Sequence, residues 1–334
     1  MIVTIIIPVY QVADYIERCV QSVIRQTVRD GCKLECIIVD DCGTDDSVVI
    51  VKRLIKEYDG PISFILVSHE HNRGLSAARN TGLQHASGEY VFFLDGDDEL
   101  ADETMNLMAE KVVTDSKVEL VQGKTKKTRW SFRKSEADLH TNSEIRKCFY
   151  SEGPLKVNAW NKLIKRDFLN HHNIIFQEGV IFEDTPWMFD MLKYLTNVSF
   201  VSEVTYHYKI RNHSIVSSSS NIERAGSFAK NFRYIINKLT SGHEQEELTF
   251  YAIKFSYIYC RYARYSMELK NDFKNWQNYT RTNGLLFAST LLAISRFLSR
   301  FRYGWLCFFI WSRVVHPEFV PTDIIKVAKR NKGF

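Results

Sequence analysis

The 334-residue sequence lacks the marks of several large protein classes. Six prolines and fifteen glycines are too few for a collagen-like or long disordered tract. The seven cysteines (Cys19, Cys32, Cys36, Cys42, Cys148, Cys260 and Cys307) include no C-x-x-C pair. A zinc ribbon is therefore not expected, and scattered free thiols point to a reducing, cytoplasmic setting. Long apolar runs are absent too. The longest uncharged one, residues 282–295, has 14 residues, where a bilayer span needs roughly 20. The opening MIVTIIIPVY carries no basic region and no small-residue cleavage site, so a strand is expected there and no secretory signal. Neither G-x-G-x-x-G nor G-x-x-x-x-G-K-[ST] occurs, nor H-E-x-x-H or G-x-S-x-G. Those absences disfavour dinucleotide, P-loop, zinc-protease and serine-hydrolase readings.

What is present is divided. The formal net charge of +5 joins an acidic first third to a basic remainder. Residues 1–104 hold nine Lys/Arg against eighteen Asp/Glu, and the rest holds 35 against 21. That split suits a cation site in one part and an anionic partner or membrane surface for the other. Residues 3–7, 34–39, 62–67 and 90–94 are predominantly apolar runs of buried-strand type, alternating with helical patterns over 15–26, 44–58 and 75–86. Such alternation predicts a parallel, doubly wound α/β sheet with ligands at the carboxyl ends of its strands. A further helix is expected over 103–113 and a further strand over 119–123, while the basic stretch 124–134 reads as a loop or edge hairpin. From about residue 222 the pattern is mostly helical, which divides the chain into 1–220 and 221–334.

The chemistry should therefore sit where strands end. The first ends in Pro8-Val9-Tyr10, and its proline either binds something or simply stops ladder pairing. The second ends in Asp40-Asp41, ahead of Thr44 and Asp45, which can cap the next helix. The fourth ends in Asp95-Gly96-Asp97-Asp98. Three carboxylates in four residues repel unless a cation sits among them, and Mg²⁺ or Mn²⁺ suits such oxygen ligands. An acidic turn before a helix near Asp102 is the alternative. An EF-hand is excluded, because Leu100 stands where that loop needs glycine. Between these ends lies NRGLSAARN at 72–80, in which Arg79 either faces a phosphate or is a solvated helix arginine.

These residues, in this order, resemble family 2 glycosyltransferases of the GT-A fold. The resemblance covers about 220 residues: Pro8-Val9-Tyr10, Asp40-Asp41, the 72–80 segment, Asp95-Gly-Asp-Asp98, Trp160-Asn-Lys-Leu163, Glu183-Asp184, and Tyr208 with Arg211 and Ser214. It implies a mixed, mostly parallel sheet and inverting transfer of a sugar from a nucleotide-diphosphate sugar, a UDP-sugar first among them. By resemblance Pro8, Val9, Tyr10 and Asp40 hold the nucleoside, and Arg79, Gly96 and Arg211 lie by the diphosphate. Asp95 and Asp97 form a D-x-D motif for Mn²⁺ or Mg²⁺, which offsets charge on the leaving group. Asp184 is the base implied for the acceptor hydroxyl, with Trp160, Asn161, Lys162 and Glu183 on the acceptor side. Read alone, Glu183-Asp184-Thr185-Pro186 is also a good helix start, with a Thr185 cap and Pro186 at the first helical position. His207 and His213 read as loop histidines, with a metal or phosphate role as the alternative.

The remainder is less specific. Aromatics interleave with Arg and Lys over 228–276, but no RNP-like or zinc pattern accompanies them, so nucleic acid is not expected. Residues 296–334 hold eight basic and two acidic residues beside apolar runs. Either peripheral membrane contact through 284–334 or a helical cap or dimer face would suit them. The acceptor implied is a saccharide or lipid-linked saccharide of bacterial surface polysaccharide, at the inner face of the membrane. A catalytically silent nucleotide-sugar-binding or scaffold protein is the competing class.

Overall fold

The structure is a computed structural model and describes residues 1–126, 137–151, 153–210, 214–239 and 245–282. It separates into two compact units, Met1–Ser218 and one beginning at Ser219. In the first, strand and helix alternate as β1 (Ile2–Val9), α1 (Ala13–Ile24), β2 (Lys33–Asp40), α2 (Ser47–Glu57), β3 (Ser63–Ser68), α3 (Leu75–His85) and β4 (Tyr90–Phe93). There follow β5 (Glu99–Leu100), α4 (Thr104–Thr114), β6 (Leu120–Thr125), α5 (Asn142–Tyr150), β7 (Lys162–Lys165), α6 (Arg166–His171), α7 (Asp184–Leu192), β8 (Val198–His207) and α8 (Ile215–Ser218). One eight-stranded sheet has the order β3-β2-β1-β4-β7-β6-β8-β5. The first four strands are parallel, β7 lies antiparallel between β4 and β6, β6 and β8 are parallel, and β5 is antiparallel to β8.

The apolar runs explain the layering. Ile5, Ile7, Cys36, Ile38 and Phe92 are fully buried in one core with Ile16, Cys19, Val20 and Val23 of α1 and Val51 of α2. On α1 those positions follow the 3–4 spacing of a helix that buries one face. A second cluster closes the other side of β4. Phe93 meets Phe176 and Trp187 edge-on at 5.2 and 6.0 Å, and Phe176 stacks on Trp187 at 4.7 Å. This cluster seats α7 against the sheet.

Four local expectations need correction. Pro8 does not end β1, which continues to Val9 and pairs there with Asp40. Pairing with β4 already stops at Ile6↔Phe93, so the missing N–H falls where that ladder is over. Thr185 does not cap α7, which begins at Asp184 after Glu183 with no side-chain cap. Pro186 thus stands third in the helix, still within the first turn, where no N–H is needed. Lys124 and Thr125 belong to β6 and not to a loop; residues 127–136 lie outside the described residues. Asp45 is not the N-cap of α2, which is Asp46, but it ties the starts of two helices together by accepting from Ser47 N at 3.2 Å and from Ala13 N at 2.8 Å.

The second unit holds α9 (Asn221–Lys238), α10 (Gln245–Tyr262) and α11 (Met267–Thr282). Ser220 and Glu223 form a reciprocal capping box at the start of α9. Most of the interleaved aromatics are its core: Phe255 stacks on Trp276 at 5.5 Å and Tyr259 on Phe273 at 3.9 Å. Among the described residues no helix is long and apolar enough to cross a membrane. The stretch 284–334, expected to meet a membrane or partner, lies outside the described residues.

One close approach places α3. A Cβ on Gly82 would lie 2.3 Å from Ile6 Cγ2, so α3 reaches β1 only because this position is glycine. Gly82→Ala should destabilise the chain by about 1–3 kcal/mol through overpacking, despite the better helix propensity of alanine. Urea unfolding measures it; a more stable variant would contradict the packing described.

Candidate active site

The parallel strands β2, β1 and β4 end side by side, which gathers Asp40-Asp41, Pro8-Val9-Tyr10 and Asp95–Asp98 at one edge of the sheet. Val9 and Pro8 are buried, whereas Tyr10 is 44% exposed. Asp40 is buried and accepts from Gly43 N at 3.2 Å. Its neighbour Asp41 is committed to structure. It takes His69 Nδ1 at 2.7 Å and the amides of Arg73 and Gly74 at 2.8 and 2.7 Å, pinning the loop that starts α3.

Arg79 is not a solvated helix arginine. Its side chain is 2% exposed and its guanidinium is shared by three carboxylates. It donates to Glu183 at 2.6 Å, Asp184 at 3.4 Å and Asp95 at 2.8 Å, and it lies 5.2 Å over the Phe176 ring. Burial works against its charge, yet Asp95, Asp184 and Glu183 hold its pKa above the ordinary guanidinium value. Asp95 and Glu183, well separated in sequence, thereby meet on one side chain.

The acidic turn divides into unlike parts. Asp95 and Asp97 are partly exposed, whereas Asp98 is buried. Asp98 accepts from the Tyr206 hydroxyl at 2.8 Å and Lys209 N at 2.7 Å. Burial, with Asp95 and Asp97 beside it, pushes Asp98 up to about 8. Gly96 fits between them because a Cβ would lie 3.0 Å from the Pro8 carbonyl. Asp95 and Asp97, two partly exposed carboxylates, therefore suit a hard divalent cation. Among the described residues no third His, Cys, Asp or Glu completes a metal-holding group.

Asp184 opens α7 with its side chain 23% exposed, enough for a hydroxyl to approach. Burial and then Glu183 push it up to about 7, against the pull of Arg79. Trp160 is buried and stacks on Tyr206 at 4.7 Å and Tyr208 at 5.5 Å. Asn161 and Lys162 are fully buried, so here neither offers a surface to an acceptor. Asn161 accepts from Thr205 Oγ1 at 2.8 Å, and Lys162 Nζ donates to the Asn158 carbonyl. Arg211 and His213 lie outside the described residues; His207 ends β8. Sequence reasoning missed Tyr206, whose hydroxyl accepts from Asp95 N at 3.3 Å while donating to Asp98. Its spacing from Tyr208, two residues along a strand and hence on one face, was the available signal.

Comparison with known proteins bears on the family and the fold. The sequence model of Glycosyl transferase family 2 matches residues 4–172. The chain belongs to that family and has the GT-A fold. It is 30% identical over 230 residues to glycosyltransferase GlyA of Streptococcus pneumoniae, covering 64% of this chain and 31% of GlyA. The chain thus spans about a third of that relative's length. S. aureus TarS 1–349 in complex with UDP-GlcNAc superposes with a TM-score of 0.68 at 20% identity, over 91% of this chain and 90% of that one. Mannosyltransferase PcManGT from Pyrobaculum calidifontis, in complex with GDP-Man and Mn²⁺, gives 0.56 at 20% identity, over 94% and 87%.

The raised Asp98 has a consequence for stability. The folded chain keeps this proton up to about pH 8, against an ordinary value of 3.8. Its contribution is therefore full below about pH 4 and is lost as pH rises toward 8. Asp98→Asn cannot ionise, so its urea midpoint should fall less between about pH 5 and about pH 8 than that of the wild type. Equal falls in both would contradict the assignment.

Proposed function

We propose that the protein transfers a sugar, with inversion, from a nucleotide-diphosphate sugar to an acceptor hydroxyl. The observation that carries this is the meeting of Asp95 and Asp184 on one guanidinium, at 2.8 and 3.4 Å from Arg79. A leaving-group site and a carboxylate base are thus held a fixed short span apart, as a single displacement requires. Tyr10 and Asp40 would receive the nucleoside, and a UDP-sugar is the first choice because TarS is seen with UDP-GlcNAc. Asp95 and Asp97 would hold Mn²⁺ or Mg²⁺, whose chemistry is to offset charge on the departing diphosphate; PcManGT is in complex with GDP-Man and Mn²⁺. Asp184 accepts the proton of the acceptor hydroxyl. The acceptor we propose is a saccharide or lipid-linked saccharide of bacterial surface polysaccharide, met at the inner face of the membrane. Arg211 would serve the diphosphate.

The test is nucleoside diphosphate release from UDP-glucose, UDP-galactose, UDP-GlcNAc and GDP-mannose, with Mn²⁺, Mg²⁺ or EDTA. Asp184→Asn should lower turnover by on the order of 10²- to 10⁴-fold, and the product should carry the opposite anomeric configuration. Asp184 acts ionised, so turnover should rise as pH passes through about 7. An Asp184→Asn enzyme as active as the wild type would overturn the assigned base. Release from no donor would favour the silent, nucleotide-sugar-binding alternative.

A further inference from the structure

Between α6 and α7 runs the segment 172–183, which forms neither helix nor strand. Three of its residues hold left-handed backbone: Asn173 at φ 50°, Gly179 at φ 71° and Phe182 at φ 62°. A side chain as bulky as phenylalanine rarely adopts that conformation, so the surrounding structure has to hold the segment in place. Phe182 stands directly before Glu183 and Asp184, and the path of the segment therefore sets where both carboxylates arrive. Asn80 of α3 supplies a hold. It is buried, and its carboxamide closes on the backbone of Phe176 from two sides. Its Nδ2 donates to the Phe176 carbonyl at 2.9 Å, and its Oδ1 accepts from the Phe176 amide at 2.9 Å. The pairing repeats the reciprocal bonds of neighbouring strands, with a side chain in place of one backbone. A longer bond runs from Nδ2 to Glu178 at 3.4 Å.

Phe176 carries this hold to the site. Its ring lies under the Arg79 guanidinium at 5.2 Å and stacks on Trp187 of α7 at 4.7 Å. Arg79 in turn meets Glu183 and Asp184 at 2.6 and 3.4 Å. Adjacent residues of α3 thus grip both parts of the arrangement, Arg79 the carboxylates and Asn80 the segment that delivers them. We propose that Asn80 is a positioning residue, whose clasp on Phe176 sets Asp184 against Arg79 for proton abstraction without touching substrate. The proposal rests on Asp184 being the base. The clasp needs a group that donates and accepts at once, which a carboxamide does. A carboxylate at position 80 would keep the bond from the Phe176 amide but turn an acceptor toward the Phe176 carbonyl and Glu178. Alanine would remove both bonds.

The test has two readouts. The first needs no substrate: it is the Nε–H signal of Arg79 in a ¹H–¹⁵N NMR spectrum, identified by its loss in Arg79→Lys. The ring current of Phe176 acts on this group, and Phe176→Leu gives the reference position without it. Asn80→Ala and Asn80→Asp should each move the signal toward that reference, and the near-isosteric Asn80→Asp keeps the test alive if Asn80→Ala fails to fold. The second readout is sugar transfer per folded molecule. Both variants should lower kcat on the order of 10- to 100-fold while the donor KM stays within about threefold. Glu178→Gln spares both bonds to Phe176 and should leave both readouts in place. A merely structural asparagine would lower the melting temperature and leave the Arg79 signal and the kcat of the folded fraction where they are, which overturns the inference. Asp184→Asn that transfers sugar normally removes the base reading and this inference together; an inactive Asp184→Asn beside an unmoved Arg79 signal removes the inference alone.

Discussion

One guanidinium organises the acidic edge of the sheet. Asp95, Glu183 and Asp184 come from two segments nearly ninety positions apart, and without a cation their mutual repulsion would open the cleft. Arg79 suits the task because its fork can serve several oxygens in one plane, which an ammonium cannot do. Its own position depends on the glycine contact between α3 and β1 and on the Phe176 ring beneath it. The packing of small residues on α3 and the electrostatics of the site are thus a single arrangement.

That arrangement separates carboxylates that look alike in sequence. Asp97 and Asp98 are adjacent, yet one is partly exposed and the other buried against Tyr206 and Lys209. Asp40 and Asp41 divide in the same way. Asp41 is spent on the His69–Gly74 loop, while Asp40 keeps most of its hydrogen-bonding capacity beside exposed Tyr10. In each pair the more deeply buried acid, Asp98 or Asp41, builds the scaffold. Chain neighbours in extended or turn backbone point to opposite sides, which is what makes the division possible.

Much of this was legible beforehand. A buried strand such as 3–7 announces itself by continuous β-branched composition, and the edge where ligands gather follows from parallel connection. The family motifs located Asp95, Asp97 and Asp184. Tertiary pairings were not legible. Nothing local to Arg79 says that Glu183 will be its partner, and nothing around Lys162 says that its side chain is closed off from solvent. Helix starts misled for a related reason: Thr185 has the composition of a cap, but the chain enters α7 two residues earlier, with Asp184 against Arg79. The basic surplus past residue 283 stays a matter of composition.

The most direct test of this account is turnover in Arg79→Lys, assayed as nucleoside diphosphate release alongside the far-ultraviolet circular dichroism of the folded chain. Lysine keeps the charge but cannot bridge Asp95 to Glu183 and Asp184, so turnover should fall on the order of 100-fold in a folded protein. Turnover within about threefold of the wild type would show that the leaving-group site and the base do not depend on a shared guanidinium.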